Sequence, residues 1–278
     1  MGKVPQFNLN SGDEMPGFGF GTWQLDDGQE AYDATSAALK AGYRLIDTAR
    51  IYGNEQSVGE AVRESGTERD EIFVTTKLWN SDRGYKSGLQ AFEESLARLG
   101  LDYIDLYLIH WPGHDAQARR DAWRALEEIE VSGRSKSIGV SNYMVSHLEE
   151  LISYANTPPS VNQIEFHPFI FDEQAPVLDV CAKHQIVVEA YSPLARGRQM
   201  DNQVITDLAI AHGKSKAQVM LRWALQHQTV PIPKSSHADR IKENIAVFDF
   251  QLSSEQMTAI DRLGGRESAL PFYAKLLK

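Results

Sequence analysis

Phe73-Val74-Thr75-Thr76, then residues 86–99, then Ile104-Asp105-Leu106-Tyr107-Leu108-Ile109: these three pieces decide how the chain folds. The outer two are short apolar runs of strand character. The middle one sets Leu89, Phe92, Leu96 and Leu99 at helical spacing. Strand, helix, strand is the unit that builds a parallel sheet, because parallel neighbours need a long crossover between them. The same alternation continues both ways along the chain. Further strands are expected at residues 17–21, 45–47, 137–140, 161–164, 186–190 and 230–233. Helices are expected at residues 30–40, 55–64, 119–131, 146–154, 174–184, 215–226 and 238–247. An open, doubly wound sheet is the rival arrangement. Eight units in one unbroken series favour the closed (β/α)8 TIM barrel, an α/β fold of about 250 residues. With 278 residues and no linker or low-complexity tract, one domain spanning 1–278 is expected.

Two segments stand outside the repeat. Residues 7–15, centred on Asn10-Ser11-Gly12-Asp13, read as a β-hairpin placed to plug the bottom of the barrel. From Ser253 a last helix is expected, capped by Ser253 or Ser254 with Glu255 and Gln256 behind it. An irregular tail carrying Leu270, Pro271, Phe272 and Tyr273 follows and is expected to lie over the pocket.

The composition narrows the function. A net charge of −10 argues against a general nucleic-acid surface. No stretch approaches the roughly 18 apolar residues of a membrane span, and residues 1–6 lack the blocks of a signal peptide. Cys181 stands alone, so neither a disulfide framework nor a cysteine metal site is expected. The expectation is a cytoplasmic monomer acting on a small molecule, with no metal, membrane or nucleic-acid partner.

Four polar residues close or follow strand-like runs: Asp47 in Ile46-Asp47-Thr48-Ala49, Tyr52 in Tyr52-Gly53-Asn54-Glu55, Lys77 in Thr75-Thr76-Lys77-Leu78-Trp79, and His110 in Ile109-His110-Trp111-Pro112. In a parallel barrel such ends converge on one face. Their chemistry suits carbonyl reduction. Hydride transfer to a carbonyl builds negative charge on oxygen, so a proton donor must stand beside it. A free tyrosine, with a pKa near 10, is a poor acid at neutral pH, and a lysine ammonium nearby lowers that value. Tyr52 is then the acid, Lys77 its tuner, Asp47 the partner of Lys77, and His110 the group that orients the carbonyl or shares the proton. Each has a blander reading: a turn aromatic, a structural ion pair, a core histidine. The four together outweigh these.

A hydride needs a donor, yet Gly17-Phe18-Gly19-Phe20-Gly21 is not the G-x-G-x-x-G of a dinucleotide fold and opens no helix. Its glycines suit close packing in the first strand. The ordered motifs Asp-Thr-Ala, Tyr-Gly-Asn-Glu, Thr-Lys-Leu-Trp, Ile-His-Trp-Pro, Gly-Val-Ser-Asn, Asn-Gln-Ile-Glu-Phe-His-Pro and Ile-Pro-Lys-Ser resemble the aldo-keto reductases. Within that family, the bacterial 2,5-diketo-D-gluconate reductase and prostaglandin F synthase-like group is the nearest in flavour. The resemblance implies a (β/α)8 barrel and the same four catalytic positions.

It also implies NADPH. Ser141, Asn142 and Gln163 would take the nicotinamide carboxamide, Tyr191 would stack on the ring, and Thr22 would stand at the pocket end of the first strand. Ser192, Pro193 and Leu194 would line the pyrophosphate path. Lys234, Ser235 and Arg240 would hold the 2′-phosphate, with Glu243 and Asn244 near adenine. Relatives often carry a further arginine where Ser236 and His237 stand, so some NADH use is expected. The loop at residues 195–200 is short, so cofactor exchange should be easy. Trp23, Trp79, Trp111 and His110 would wall an open substrate site for aldehydes, α-dicarbonyls or keto sugars. The alternative is a cofactor-binding regulatory subunit without turnover on the same fold.

Overall fold

The structure is a computed structural model that describes residues 4–264. A hairpin of β1 (Gln6–Asn8) and β2 (Glu14–Pro16) opens the chain. Eight strands follow: β3 (Phe20–Gly21), β4 (Leu45–Asp47), β5 (Phe73–Leu78), β6 (Ile104–Ile109), β7 (Ser135–Ser141), β8 (Val161–Glu165), β9 (Val187–Tyr191) and β10 (Thr229–Pro231). Each pairs in parallel with the next in chain order. The two ends of this sheet meet. Gly19 N–H donates to the Pro231 carbonyl at 3.0 Å, and Gly21 N–H to the Pro233 carbonyl at 3.2 Å. Sequential order plus closure makes a barrel and excludes the open sheet.

Helices alternate with the strands: α1 (Gln29–Lys40), α2 (Glu55–Arg63), α3 (Tyr85–Leu99), α4 (Ala116–Val131), α5 (Val145–Tyr154), α6 (Phe171–Lys183), α7 (Gln203–His212), α8 (Lys216–Gln226), α9 (Ala238–Asn244) and α10 (Ser254–Asp261). Helix α7 is an addition to the expected series. Its signal is Asn202, whose side chain caps the helix by accepting from Val204 and Ile205 N–H. Helix α9 ends at Asn244, three residues earlier than expected. The tail with Leu270 to Tyr273 lies outside the described residues. Among those described, no helix is long and apolar enough to cross a membrane.

Side chains alternate across each strand, so every second residue enters the barrel. Leu45, Phe73, Leu106, Leu108, Val161, Val230 and Ile232 form one buried cluster there, joined by Leu9 and Met15 of the hairpin. The hairpin therefore closes the bottom. Asn10 locks it in place by donating to the Pro159 carbonyl at 3.0 Å and accepting from Ser160 Oγ at 2.6 Å. Above this apolar layer the buried inward residues turn polar, with Asp47, Lys77, Gln163 and Glu189. Gly21 is required where β3 meets the last strand, because a Cβ would stand 2.9 Å from the Ile232 carbonyl.

The outer layer has one equally tight point. Gly59 in α2 lies against the end of α3, and a Cβ there would collide with the Leu99 backbone carbonyl. Gly59→Ala gains about 1 kcal/mol of helix propensity but should lose more to overpacking, which costs about 1–3 kcal/mol where backbone cannot give way. A lower midpoint in urea denaturation is the expected result. An unchanged or higher midpoint would show that α2 shifts freely.

Candidate active site

Strand β4 delivers Asp47 to the top of the barrel, and the chain then turns sharply to present Tyr52. A single 3-10 turn, Arg50–Tyr52, ends at Gly53 with φ 73°, a left-handed conformation that glycine adopts without strain. Asn54 pins the turn from below. Its Nδ2 donates to the carbonyls of Thr22 and Leu25, each at 3.0 Å, and its Oδ1 accepts from Thr48 Oγ1 at 2.9 Å. Glu55, buried at the start of α2, accepts from Thr76 Oγ1 at 2.6 Å and from Arg98 Nε at 2.7 Å. The Tyr-Gly-Asn-Glu motif is thus a tyrosine presented at the cleft, a glycine that ends its turn and two anchors.

Lys77 is wholly buried, which isolated would be prohibitive for an ammonium. Three acceptors satisfy it: Asp47 Oδ1 at 2.8 Å, Asp47 Oδ2 at 2.7 Å and the Thr48 carbonyl at 2.8 Å. Nζ also faces the Tyr52 hydroxyl at 3.4 Å. Burial pushes the Asp47 carboxyl up, while the Lys77 charge and the Gln163 N–H pull it back. His110 follows β6 and sits edge-on to Tyr52, ring centroids 5.8 Å apart, and to Trp79 at 5.1 Å. Burial, then the nearby Lys77 charge, drives its pKa well below the ordinary histidine value, so the imidazole is neutral at pH 7. His110 and His114 stand four apart, a metal-ligand spacing when on a helix. Here the segment between them is loop and His114 is exposed.

Around these groups opens a cleft of ≈ 990 Å³. Asp47, Tyr52 and His110 form its floor with Trp79 and Trp111, and Trp23 stands at the side. Ser141, Asn142, Gln163, Tyr191, Ser192, Pro193 and Leu194 line one arm, and Lys234, Ser235, Arg240, Glu243 and Asn244 line the far end. Asn142 is held with φ 63° by its own side chain. Its Nδ2 donates to the His110 carbonyl at 2.9 Å, and its Oδ1 accepts from the Tyr191 hydroxyl at 2.8 Å. Gln24, Asn142, Ser192 and Arg196 are all left-handed and all line the cleft. Such backbone costs on the order of 1–3 kcal/mol each and gathers at functional sites.

Thr22 departs from expectation. It is fully buried with its hydroxyl donated to the Asp47 carbonyl at 2.9 Å, so it braces the wall and does not line the cleft. The short loop at residues 195–200 also behaves differently. Arg196 reaches over the cleft, donates to Gln24 Oε1 at 2.9 Å and stacks its guanidinium 4.5 Å from the Trp23 ring. Sequence reading passed over Gln24, Ile51, Met200 and the start of α8 at Lys216, which line the cleft too. The nearness of Gln24 to Trp23 and of Ile51 to Tyr52 was the available signal.

Comparison with known proteins agrees with this geometry. The model of the aldo/keto reductase family matches residues 18–264. This chain belongs to the aldo/keto reductase family. It is 51% identical over 269 residues to the glyoxal reductase of Bacillus subtilis (strain 168), covering 97% of this chain and 96% of that protein. It is 47% identical over 275 residues to the morphine 6-dehydrogenase of Pseudomonas putida, covering 94% and 92%. Among solved structures, an aldo/keto reductase from Brucella melitensis superposes with a TM-score of 0.90 at 48% identity, covering 94% of this chain and 100% of that one. A Bombyx mori aldo-keto reductase in complex with NADP gives 0.91 at 35% identity, covering 99% and 97%. The fold and the oxidoreductase class of this aldo/keto reductase follow directly.

Proposed function

We propose that this aldo/keto reductase is an NADPH-dependent carbonyl reductase that converts small aldehydes, α-dicarbonyls or keto sugars to alcohols, with Tyr52 as the acid. One observation carries the reading: Lys77 Nζ lies between the Asp47 carboxylate and the Tyr52 hydroxyl at the floor of an open cleft. The glyoxal reductase at 51% identity supports a small α-dicarbonyl among the substrates. An unpaired buried Cys181 suits a reducing cytoplasm, and the site is complete within one chain, which suits a monomer.

The cleft fits the cofactor. At its far end Lys234 and Arg240 are exposed and have no carboxylate partner among the described residues, so both cations stand ready for a phosphate. In the middle, Gln163 keeps its amide oxygen available, and Tyr191 lines the cleft beside it. NADPH bound there supplies the hydride. The protein does the rest. Trp23, Trp79 and Trp111 hold the carbonyl compound by apolar contact, and neutral His110 donates one hydrogen bond that aims the carbonyl oxygen at Tyr52. The Tyr52 hydroxyl passes its proton to that oxygen as negative charge builds. Lys77 stabilises the tyrosinate left behind, and Asp47 keeps Lys77 charged in a buried place.

Steady-state rates with a panel of carbonyls and both reduced nicotinamides test the reading. Arg240→Ala should raise KM for NADPH by roughly tenfold or more while moving KM for NADH little, because a 2′-phosphate is worth one or two charge-assisted hydrogen bonds. Equal changes for the two cofactors would show that the phosphate binds elsewhere.

A further inference from the structure

Glu189 is an anomaly in the barrel interior. Strand β9 turns Val187, Glu189 and Tyr191 to the same side, and a valine would fill the middle position without charge. Instead a fully buried carboxylate stands there in register with Gln163 of β8. It faces a second buried carboxylate, Asp47. Like charges so close are unfavourable, and burial together with Asp47 pushes the Glu189 carboxyl up to about 8. The other charged group acting on it is Lys77. A group this costly to the fold points to a use in the site.

That use is visible in the hydrogen bonds of Gln163. A glutamine amide has two N–H donors on nitrogen and an acceptor on oxygen. Gln163 Nε2 donates one hydrogen to Asp47 Oδ2 at 2.8 Å and the other to Glu189 Oε2 at 2.5 Å. Both donors are taken by carboxyl oxygens, so a flipped amide would set its oxygen against the Asp47 carboxylate and lose its bond to Glu189 Oε2. The oxygen is left as the acceptor, and among the described residues nothing donates to it. Gln163 lines the cleft midway along, where Tyr191 and Asn142 also stand. With Asp47 alone, the amide would hang from a single contact and could swing about it.

We propose that Glu189 is a positioning residue: with Asp47 it locks the Gln163 amide so that Oε1 faces the cleft and receives the N–H of a nicotinamide carboxamide, fixing which face of the ring meets the substrate. The inference rests on the cofactor placement proposed above. It assigns to Glu189 a part in stereochemistry and cofactor affinity, not in proton transfer.

The test uses the whole enzyme with NADPH deuterated at either the 4R or the 4S position, and reads deuterium in the alcohol product by mass spectrometry. The native enzyme should transfer from one face only. Glu189→Leu removes the acceptor, and Glu189→Val does so with a residue already present in the strand, should the first variant fail to fold. Either should transfer measurably from both faces and bind NADPH roughly tenfold more weakly, with KM for the carbonyl within about twofold of native. Glu189→Gln, whose amide oxygen can still accept from Gln163, should restore both single-face transfer and affinity. Folded acceptor-free variants that keep single-face transfer and native affinity would overturn the proposal. So would a Glu189→Gln variant as defective as Glu189→Leu. A native enzyme that oxidises NADPH with no carbonyl tested would instead remove the cofactor reading beneath it.

Discussion

Tyr52→Phe is expected to lower kcat by about 10²–10⁴-fold while NADPH binding stays near native. The substitution removes one hydroxyl and keeps the ring, whose neighbours His110 and Lys77 stay in place. Asn54 holds the turn through backbone carbonyls of residues 22 and 25, so the loop should not move. The proton then has no other source of suitable acidity. His110 is the nearest candidate, but its folded pKa is depressed by burial and by Lys77, and at neutral pH it carries no spare proton. For the same reason the native pH profile should show no inflection near about 6.5, the ordinary histidine value. Linkage gives a matching sign. Below that pH the unfolded chain protonates this imidazole and the folded one does not, so His110 erodes stability as pH falls. Stopped-flow single turnovers with a good aldehyde separate chemistry from release. A chemical step as fast as native in Tyr52→Phe would remove tyrosine from the mechanism.

Lys77→Met should be damaging twice over. It keeps length and shape but deletes the ammonium that pairs with both oxygens of the buried Asp47 carboxylate. Removing one member of a buried ion pair costs about 3–5 kcal/mol, because the other charge is left uncompensated. Asp47 would respond by taking up a proton, so the loss should be largest at alkaline pH and shrink in acid. Catalysis should fall as well, since tyrosinate formation loses its nearest positive charge. The pairing of effects is the diagnostic. Urea denaturation at several pH values measures the first and single-turnover rates the second. A variant with native stability at pH 8 would contradict the ion-pair account.

That the four candidate residues share one place was readable because Asp47, Lys77 and His110 close or follow apolar runs and Tyr52 stands in the turn just beyond one. A strand that ends in Asp47, Lys77 or His110 announces a polar face, and a parallel fold brings such ends together. The barrel was readable for the same reason, in the alternation of periods. Other features depend on three-dimensional neighbours and leave no local trace. Glu189 lies inside an apolar run, and its meaning comes from standing beside Gln163 and Asp47, residues 26 and 142 positions away. Arg196 sits in a loop whose brevity suggested an open path, yet length says nothing of where a guanidinium reaches. Thr22 stands next to Trp23 at a strand end, where a pocket residue was expected. One step of the pleat turned it into the wall instead.

The clamp made by Asn54 has a consequence for how such an enzyme diversifies. It grips the segment bearing Trp23 and Gln24 by main-chain carbonyls on either side of them, leaving both side chains out of the bargain. Trp23 can be exchanged for larger, smaller or charged residues, and Gln24 for those that tolerate its left-handed backbone, while the peptide path beneath is preserved. The turn bearing Tyr52 is fastened to that same path, so the position of its hydroxyl would persist through changes in the wall. On the mechanism proposed above, selectivity and proton delivery are therefore separately heritable. A lineage, or a directed-evolution library, can explore new carbonyl compounds at Trp23 and Gln24 without first losing turnover.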